Sequence, residues 1–445
     1  METSLAPQEL QLVERKKRRG FMQGLVAAGI GGMMASQSNL ADAACTVTSA
    51  PTPFLNVKSY GAVGNGVTDD TAAFQCAVDA AAAAGGGTVL IPEGNYYLAG
   101  AVNITTTGIT IQGMGSHTTT LRAPARMTHD MFRFANCLSG VIRNLLIRTN
   151  GAPATAGRAI HSYRSDLLIE NVWIQDMFTS VEINGKLGRV TILGGYYNPA
   201  PNGTAVLAGN DMAFSNEEAV GELHIINLVV DPGAISPQPA YGLRLRSAGG
   251  VWVTDCDFIR CNVGLMIDPP AGYHVVHGFF SGTAWDTCDS RCIVIQPQSG
   301  AVVFGMHFSN CWSATAVNDG CAIAGEVSGV QFTGHRFLNC GSNGLWVSGP
   351  FAKNINADAC VASGMSTGTG FVFVGNATNF AVRNCTTAVH GSHAVGNYLN
   401  PNLYGVQVTA GCSNYIIANN FLKENTLASI IDSGSAPKVV ANNLT

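Results

Sequence analysis

Charged residues are scarce in this sequence, and basic clusters are almost absent. Asp, Glu, Lys and Arg together make up 12% of the 445 residues, about half of the share in an ordinary globular protein. No cluster of basic residues follows Arg19, and the formal net charge is -4. A nucleic-acid-binding function is therefore not indicated, because such proteins present basic patches to the phosphate backbone. The 47% hydrophobic content excludes disorder over most of the chain.

Signatures of metal, nucleotide and nucleophile chemistry are missing as well. The sequence contains no zinc-ligand spacing, no phosphate-binding loop, no dinucleotide fingerprint and no G-x-S-x-G motif. His274 and His277 are three residues apart in a run that favours a strand, so they face opposite sides. We therefore expect no metal site from this histidine pair.

The N-terminal segment has the features of an export signal. A basic block at residues 15–19 precedes a glycine-containing apolar stretch at residues 25–35, well short of the roughly 20 residues of a transmembrane helix. An A-x-A cleavage pattern follows at residues 41–43, and the Arg18-Arg19 pair resembles a twin-arginine signal. We predict that residues 1–43 are a twin-arginine export signal, with an ordinary secretory signal as the alternative. The mature protein is then expected to be periplasmic or secreted, without stable membrane insertion.

Thirteen cysteines in an exported protein ordinarily indicate disulfides. Substrates of the twin-arginine pathway, however, fold in the reducing cytoplasm before export. Most of these cysteines are therefore expected to be buried thiols that pack as small hydrophobic residues. A local disulfide between Cys288 and Cys292 is the alternative.

Short β-rich runs recur from about residue 140 to the C-terminus. Four of them carry an aromatic residue followed three positions later by cysteine, and these cysteines are 27, 23 and 29 residues apart. Trp173 and Phe421 occupy the same frame, with an acid in place of the cysteine. The four units are Phe258–Cys261, Trp285–Cys288, Phe308–Cys311 and Phe337–Cys340, and the asparagines that mark turns are Asn144, Asn171, Asn227, Asn384, Asn419 and Asn442.

A period of 22–30 residues without helices predicts a parallel β-solenoid. One coil cannot bury its own apolar face, so the stacking of coils creates the core. Equivalent residues then lie one above another, about 4.8 Å apart. The six aromatic residues are expected to form one interior column and the four cysteines a second. The predicted fold class is all-β, a single parallel β-helix domain over residues 44–445 with stacked coils from about residue 100.

A helix is expected before the coils. Asp69 and Asp70 precede an alanine-rich run at residues 72–84, in which apolar residues recur at helical spacing. An acid at the start of a helix satisfies free N–H groups, and the glycine triplet at residues 85–87 ends the helix. We interpret this helix as a cap over the open edge of the first coil. The two aspartates are therefore assigned to the cap and not to catalysis.

The segment around this helix resembles a known superfamily. Two stretches carry the resemblance: Phe54-Leu-Asn-Val-Lys-Ser-Tyr-Gly-Ala-Val-Gly-Asn-Gly-Val-Thr-Asp-Asp-Thr-Ala-Ala-Phe-Gln and Gly87-Thr-Val-Leu-Ile-Pro-Glu-Gly-Asn-Tyr-Tyr. They are similar to the capping module of the pectate-lyase-like superfamily, more narrowly its rhamnogalacturonase/epimerase-like members, and cover about residues 54–98. The resemblance implies a right-handed parallel β-helix that handles polysaccharide. Hydrolases, lyases, epimerases and phage tailspikes share this fold, so the fold alone does not decide among them.

The catalytic residues of polygalacturonases cannot be transferred to this chain. Those enzymes carry Asn-Thr-Asp, Asp-Asp, Gly-His-Gly and Arg-Ile-Lys in order, and the stacked coils contain none of the four motifs. Gly334 and His335 are followed by Arg336. Candidate site residues therefore follow from the alternation of side chains along strands.

Four outward positions form the predicted catalytic set. If the aromatic residue of each unit points inward, three adjacent coils present Asp257, Asp286 and His307, and Arg336 lies one coil further. Strand dimensions put the two aspartates roughly 8 Å apart. This separation suits two carboxylates that hydrolyse a glycoside with inversion, since water fits between them. In this hypothesis the histidine orients or deprotonates, and the arginine holds a carboxylate or developing charge.

Six further residues are predicted to bind substrate. Two flank the acidic pair, and two belong to the densest charged turn of the repeat, where an Asp–Arg pair that only fixes the turn is the alternative. Two are aromatic residues that could stack on sugar rings, one of them in an apparent insertion at residues 194–220. The flanking residues are Asp255 and His335, and the residues of the charged turn are Asp289 and Arg291. The aromatic residues are Trp312 and Tyr197, of which Tyr197 lies in the apparent insertion.

These features together predict an exported polysaccharide-active enzyme, with glycoside hydrolysis as the first expectation. A lyase or C5 epimerase acting on a uronate-containing polymer is one alternative, and a non-catalytic carbohydrate-binding or structural β-helix is another. No cofactor is expected, apart from Ca²⁺ if the protein is a lyase. The expected partner is a polysaccharide, and a homotrimer stays open because trimers occur in the tailspike-like branch.

Overall fold

The computed structural model describes residues 54–185, 188–209, 220–387 and 401–445. The predicted export signal lies outside these ranges. Within them, no helix is long and apolar enough to cross a membrane. Strands β1 to β38, in chain order, are Phe54–Asn56, Asn65–Asp69, Gly87–Leu90, Gly94–Tyr97, Val102–Ile104, Ile109–Gln112, Thr119–Ala123, Asp130–Ala135, Gly140–Thr149, Arg158–Tyr163, Leu167–Gln175, Thr179–Asn184, Arg189–Leu193, Tyr196–Asn198, Thr204–Ala208, Glu222–Ile226, Val229–Val230, Tyr241–Leu245, Val251–Thr254, Asp257–Ile259, Val263–Ile267, His274–Ser281, Ala284–Asp286, Arg291–Ile295, Val302–Ser309, Trp312–Ala314, Cys321–Ala324, Val327–Thr333, Arg336–Leu338, Leu345–Ser348, Ala352–Asp358, Val361–Ser363, Thr369–Val374, Thr378–Arg383, Tyr404–Val408, Ser413–Ala418, Ala428–Asp432 and Ser435–Ala441.

The strands stack into two sheets, and in the described part their pairings are parallel. Sheet B has 13 strands, running from β5 to β37 with one strand per coil, and its outer surface is called face B. Sheet A has the other 25 strands and follows each coil around a bend. Strands before the bend, such as β22 and β25, form face A1. Strands after it, such as β23 and β26, form face A2. The predicted all-β parallel solenoid is therefore confirmed.

Alternation along each strand separates the core from the surface. At the end of β22, Phe280 is buried, whereas Phe279 is 40% exposed. The ring of Phe280 stacks on Phe308 of the next coil with centroids 4.6 Å apart, and Phe308 stacks on Phe332 at 4.9 Å. Apolar side chains that recur once per coil thus become a continuous interior stack.

A single residue with a left-handed backbone makes the bend between faces A1 and A2. All six asparagines predicted at turns have positive φ, from 49° to 59°, a conformation that asparagine tolerates better than most residues. Asp255 takes this position in its own coil, with φ 52°. At Gly282, the bend residue of the next coil, a Cβ would lie 2.2 Å from the Asp255 carboxylate oxygen, so a larger residue would require the Asp255 side chain to move.

The interior columns differ from the predicted ones. Phe258 and Trp285 are stacked on face A2 strands, as predicted, but the next residue in that column is Ser313. Phe308 lies before the bend and belongs to the column of Phe280 and Phe332. The placement of Phe308 and Cys311 in the predicted columns is therefore wrong, because the same aromatic-x-x-cysteine spacing occurs at two different places around the coil.

Two other members of the predicted aromatic column lie on the surface. Trp173 is half-buried in the outward column of face A2, one position before the inward Ile174. Phe421 is 41% exposed and bridges Thr386 and Leu444 of neighbouring coils. Their frame is shifted by one residue, and a shift of one residue exchanges the two sides of a strand.

The cysteines are mainly buried thiols, as predicted. Eleven described cysteines are reduced and buried, so the alternative disulfide between Cys288 and Cys292 is wrong. Burial raises the pKa of the Cys261 thiol well above its usual value. Cys76 is disulfide-bonded.

One helix, α1 (Thr71–Ala83), occupies the predicted alanine-rich run. It buries Phe74, Ala77 and Val78 against the core. The Asp70 carboxylate accepts hydrogen bonds from the backbone N–H groups of Val63 and Gly64, so it fixes a turn. That α1 protects the edge of the first coil stays a prediction.

His335 follows a bend residue and is fully buried, so its predicted contact with substrate is wrong. Its Nε2 lies 2.9 Å from Ser313 Oγ, and its ring centroid is 4.3 Å from that of Phe337. Burial lowers the pKa of His335 to about 3. The imidazole is therefore a neutral part of the core.

Two neighbouring phenylalanines test the alternation. We expect Phe280→Ala to lower the free energy of unfolding by about 3–5 kcal/mol, because it leaves a cavity in the aromatic stack. The adjacent Phe279→Ala should lower it by about 1 kcal/mol or less, since that ring faces solvent. Urea unfolding measures both, and equal losses would show that the two sides of β22 are misassigned.

His335 predicts a pH dependence of stability. The unfolded chain takes up a proton on this residue below about pH 6.5, whereas the folded chain keeps it neutral. Stability is therefore lost as the pH falls through 6.5 toward 3, and at pH 5 the loss is about 2 kcal/mol. His335→Gln keeps a hydrogen-bonding group but cannot titrate. Between pH 7 and pH 5 the wild type should lose about 2 kcal/mol more than this variant in urea unfolding; identical losses would contradict the prediction.

Candidate functional site

The predicted acidic pair lies on face A2 as the sequence indicated. Asp257 is in register with Ala284, and Asp286 is in register with Ile259, so they are one coil and two residues apart. The strand dimensions give a separation of about 8 Å. The Asp257 carboxylate is exposed, and Asp286 accepts a hydrogen bond from the Thr287 hydroxyl at 3.1 Å. The two carboxylates thus face the same solvent.

The two carboxyls differ in electrostatics. Partial burial raises the pKa of Asp257, and the negative charge of Asp286 raises it further. Neither side chain forms an ion pair with another described residue. A carboxyl with a raised pKa beside an ionised one is the arrangement of a general acid with a base.

Aromatic and cationic side chains extend this outward column. From Asp257 the column continues through Ala284 and Trp312 to Arg336, and both of the last two are exposed. In the other direction it reaches Tyr196 and Trp173, whose ring centroids are 5.3 Å apart. The structure therefore brings Asp257, Asp286, Trp312 and Arg336 together on one face.

His307 does not belong to this face. It lies before the bend on face A1, in register with Phe279 and Gln331, and Trp312 occupies the place predicted for it. The predicted grouping of His307 with the two aspartates is wrong. The prediction aligned Phe308 and Cys311 with the aromatic–cysteine units of face A2, but these two residues precede the A2 strand of their coil.

The remaining substrate-binding candidates lie apart from one another. Asp289 is exposed in the turn after β23. Arg291 pairs with Asp319 of the next coil, with Nε 2.8 Å from Oδ2, so it does not pair with Asp289. Asp255 is the bend residue described above. Their contact with substrate stays a prediction.

Tyr197 is fully buried and cannot contact substrate. Burial raises its pKa, and its hydroxyl has no hydrogen-bond partner in the described structure. Tyr196 faces outward instead and donates a hydrogen bond to the Asp231 carbonyl at 2.8 Å. Residues 196–208 continue the coil as β14 and β15 and are not an excursion. Residues 210–219 of the apparent insertion lie outside the described residues.

A second group of polar side chains, on face B, was missed by the sequence reasoning. Arg158 joins two carboxylates, with Nε 2.5 Å from Asp130 Oδ1 and Nη1 2.8 Å from Glu182 Oε1. His161 Nδ1 lies 2.9 Å from Asp130 Oδ2, and Asn184 Nδ2 lies 3.2 Å from His161 Nε2 and 2.9 Å from Glu182 Oε1. We call these five residues the face B network.

Sheet stacking assembles this network. Arg158 is in register with Asp130 of the preceding coil, and His161 with Glu182 of the following coil. Arg133, which is exposed, is the neighbour of His161 on the other side. The spacings of 28 residues from Asp130 to Arg158 and 24 from Arg158 to Glu182 match the coil period and were the available signal. The aromatic–cysteine pattern begins at Phe258, more than 70 residues after Asn184, and it does not identify the strands of sheet B.

Electrostatics and burial make the network unusual for a surface. The side chains of Glu182 and His161 are 6% exposed, whereas that of Arg158 is 30% exposed. Burial opposes ionisation of Asp130, but hydrogen bonds from His161 and Arg158 lower its pKa. Since Asn184 donates to Nε2, the imidazole holds its proton on Nδ1, pointing at Asp130. The network is thus a histidine oriented by a carboxylate, beside an arginine whose side chain is partly exposed.

Comparisons with known proteins find sequences similar to parts of this chain. Residues 54–221 match the family model described as rhamnogalacturonase A/epimerase, pectate lyase-like. Mannuronan C5-epimerase AlgE5 of Azotobacter vinelandii is 64% identical over 45 residues, which are 10% of this chain and 4% of that protein. Alginate lyase 7 of the same organism is 60% identical over 45 residues, 10% of this chain and 5% of that protein.

Among solved structures, the A-module of the Azotobacter vinelandii mannuronan C-5 epimerase AlgE4 covers 87% of this chain and 99% of its own, with 16% identity and a TM-score of 0.49. The homotrimer alternative gains no support from these relatives. The matched family region includes the capping motif and the whole face B network. Residues 54–221, less than half of the chain, are therefore similar to the rhamnogalacturonase A/epimerase, pectate lyase-like family, and the stacked parallel coils support a relationship to the pectate-lyase-like superfamily.

Proposed function

We propose that this protein is an exported enzyme that acts on an acidic polysaccharide by moving the C5 proton of a uronate residue at the face B network. One observation carries the proposal: an imidazole, oriented by the partly buried Asp130 carboxylate, stands beside the partly exposed guanidinium side chain of Arg158. Buried charges are costly to assemble, and they concentrate at functional sites. The network also lies within residues 54–221, the part that matches the family model.

The arginines supply the charge that this chemistry needs. Arg158 uses Nε and Nη1 for Asp130 and Glu182, which leaves Nη2 for a substrate carboxylate. The exposed Arg133, one coil away from His161, can bind the same carboxylate. Guanidinium groups hold carboxylates in a bidentate manner, and the positive charge stabilises the enolate that forms when C5 loses its proton.

His161 is the proton acceptor in this proposal. Substrate displaces the Asn184 amide from Nε2, the C5–H bond breaks, and its proton goes to Nε2 while the electron pair enters the enolate. The Asp130 carboxylate stabilises the imidazolium. In this proposal Tyr163, two residues along the strand with its ring centroid 6.4 Å from that of His161, returns a proton. Protonation of C5 on the other face gives an epimer, whereas cleavage of the C4–O4 bond with protonation of O4 gives an unsaturated product.

His161→Gln tests this assignment. Removal of a general base should lower turnover of mannuronan by about 100-fold or more. The assay follows deuterium entering C5 in D₂O and ultraviolet absorbance together, with and without added Ca²⁺. Deuterium without absorbance identifies an epimerase, and absorbance identifies a lyase. The control is His117→Gln, which changes an exposed histidine between β6 and β7 and should keep full turnover.

Asp130→Asn tests the orienting role in the same assay. The amide keeps the size of the side chain but no longer stabilises the imidazolium, so turnover should fall by about 10-fold and its pH optimum should move. Full activity of both His161→Gln and Asp130→Asn would exclude face B as the catalytic centre.

Glycoside hydrolysis at face A2 is the second candidate, because Asp257 has a raised pKa beside Asp286. In this case reducing ends appear without ultraviolet absorbance, and Asp257→Asn and Asp286→Asn each lower that rate by about 100-fold. Glu326→Gln is the matched control, since it removes an exposed carboxylate outside face A2. Unchanged product formation in the two test variants would leave face A2 without a catalytic role.

A further inference from the structure

Face A1 carries an outward column of rings that neither candidate centre uses. His224, Trp252, Phe279 and His307 lie on four successive coils. Their ring centroids are 4.6, 5.7 and 5.4 Å apart, and their planes are within 18° of parallel. The stacked rings form an aromatic strip, in which Phe279 is 40% exposed. Phe304, 47% exposed, widens the strip.

Grooves continue the strip at both ends. A groove of about 490 Å³ lies beside His224 and Trp252, with Arg189 and Glu222 in its wall. Beyond His307 the column passes through Gln331 and Asn356 into a groove of about 590 Å³. Its polar lining consists of Asn354, Asn356, Asn379, Arg383, Asn414 and Lys438.

The second groove contains a cation, Arg383, that has no ion-pair partner among the described residues. Arg383 forms no ion pair with a described residue, and its buried Nε has no hydrogen-bond acceptor. Asp358, the register neighbour of Arg383, instead accepts a hydrogen bond from Asn384 at 2.8 Å. Lys438 is compensated by Asp432, with Nζ 2.9 Å from Oδ2. An unpaired guanidinium beside side-chain amides complements a carboxylate surrounded by hydroxyl groups.

We propose that face A1 is a second, non-catalytic binding surface on which an acidic polysaccharide lies along the solenoid axis, over the aromatic strip and with a carboxylate at Arg383. The substrate class rests on the proposed function, whereas the surface is separate from the face B network. The column from Val141 to Val439 has twelve positions, so it is about 50 Å long. A surface of this length binds a long chain, while short oligomers need only the catalytic face.

Two variants in the His161→Gln background test the proposal by binding of long mannuronan. Arg383→Gln removes the unpaired cation and should raise the Kd about 10-fold. Phe279→Ser interrupts the strip and should raise it by roughly five-fold. Lys423→Gln and Phe421→Ser are the controls, since they change an exposed cation and an aromatic ring that is 41% exposed outside face A1. Binding by the controls should equal that of the parent.

Turnover of short oligouronates, measured with His161 intact, separates this proposal from the proposed function. Arg383→Gln and Phe279→Ser should leave it unchanged. If the wild type binds the polymer but shows no turnover, only the catalytic proposal is refuted. Unchanged Kd in both face A1 variants would overturn the second surface. It would also be overturned if light scattering showed a concentration-dependent doubling of mass that Phe279→Ser abolishes, because the strip would then join two copies of the chain.

Discussion

The stacking of one coil on the next, at the spacing of parallel strands, is the constraint on which the rest of this structure depends. A coil has no core of its own, so each buried side chain packs mainly against its equivalents above and below. Phe280, Phe308 and Phe332 illustrate this, since each ring completes the packing of the next. The bend residues obey the same rule: the side chain of Asp255 covers the following bend, where glycine avoids a close contact with it.

The same constraint determines where chemistry can arise. Residues far apart in sequence become neighbours only when they share a position around the coil, and the surface offers three such faces. On face B this brings Asp130, Arg158 and Glu182 into one ion-pair network around His161. On face A2 it leaves two carboxylates without an ion-pair partner among the described residues, and partial burial together with the charge of Asp286 raises the pKa of Asp257. We infer catalysis from the network because its charges orient one another before substrate arrives, which exposed aspartates cannot do.

The fold was largely predictable from the sequence, because periodic spacing and turn asparagines report directly on stacked coils. The position of each residue around the coil was less so. Phe308 and Trp285 share the same local pattern, yet one lies before the bend and the other after it, and this misplaced His307. Tyr196 and Tyr197 show the same ambiguity on the scale of one residue, since alternation exchanges inside and outside. The Asp130–Arg158–Glu182 spacing carried a usable signal, but no aromatic–cysteine pair marks those strands.

The most direct test of the account is a crystal structure of the His161→Gln variant with a uronate oligomer. We predict the oligomer on face B, with one carboxylate at Arg158 and the C5 atom of that sugar facing residue 161. An oligomer that instead lies across face A2, with a glycosidic bond between Asp257 and Asp286, would contradict proton transfer at the network and establish the acidic pair as the catalytic centre.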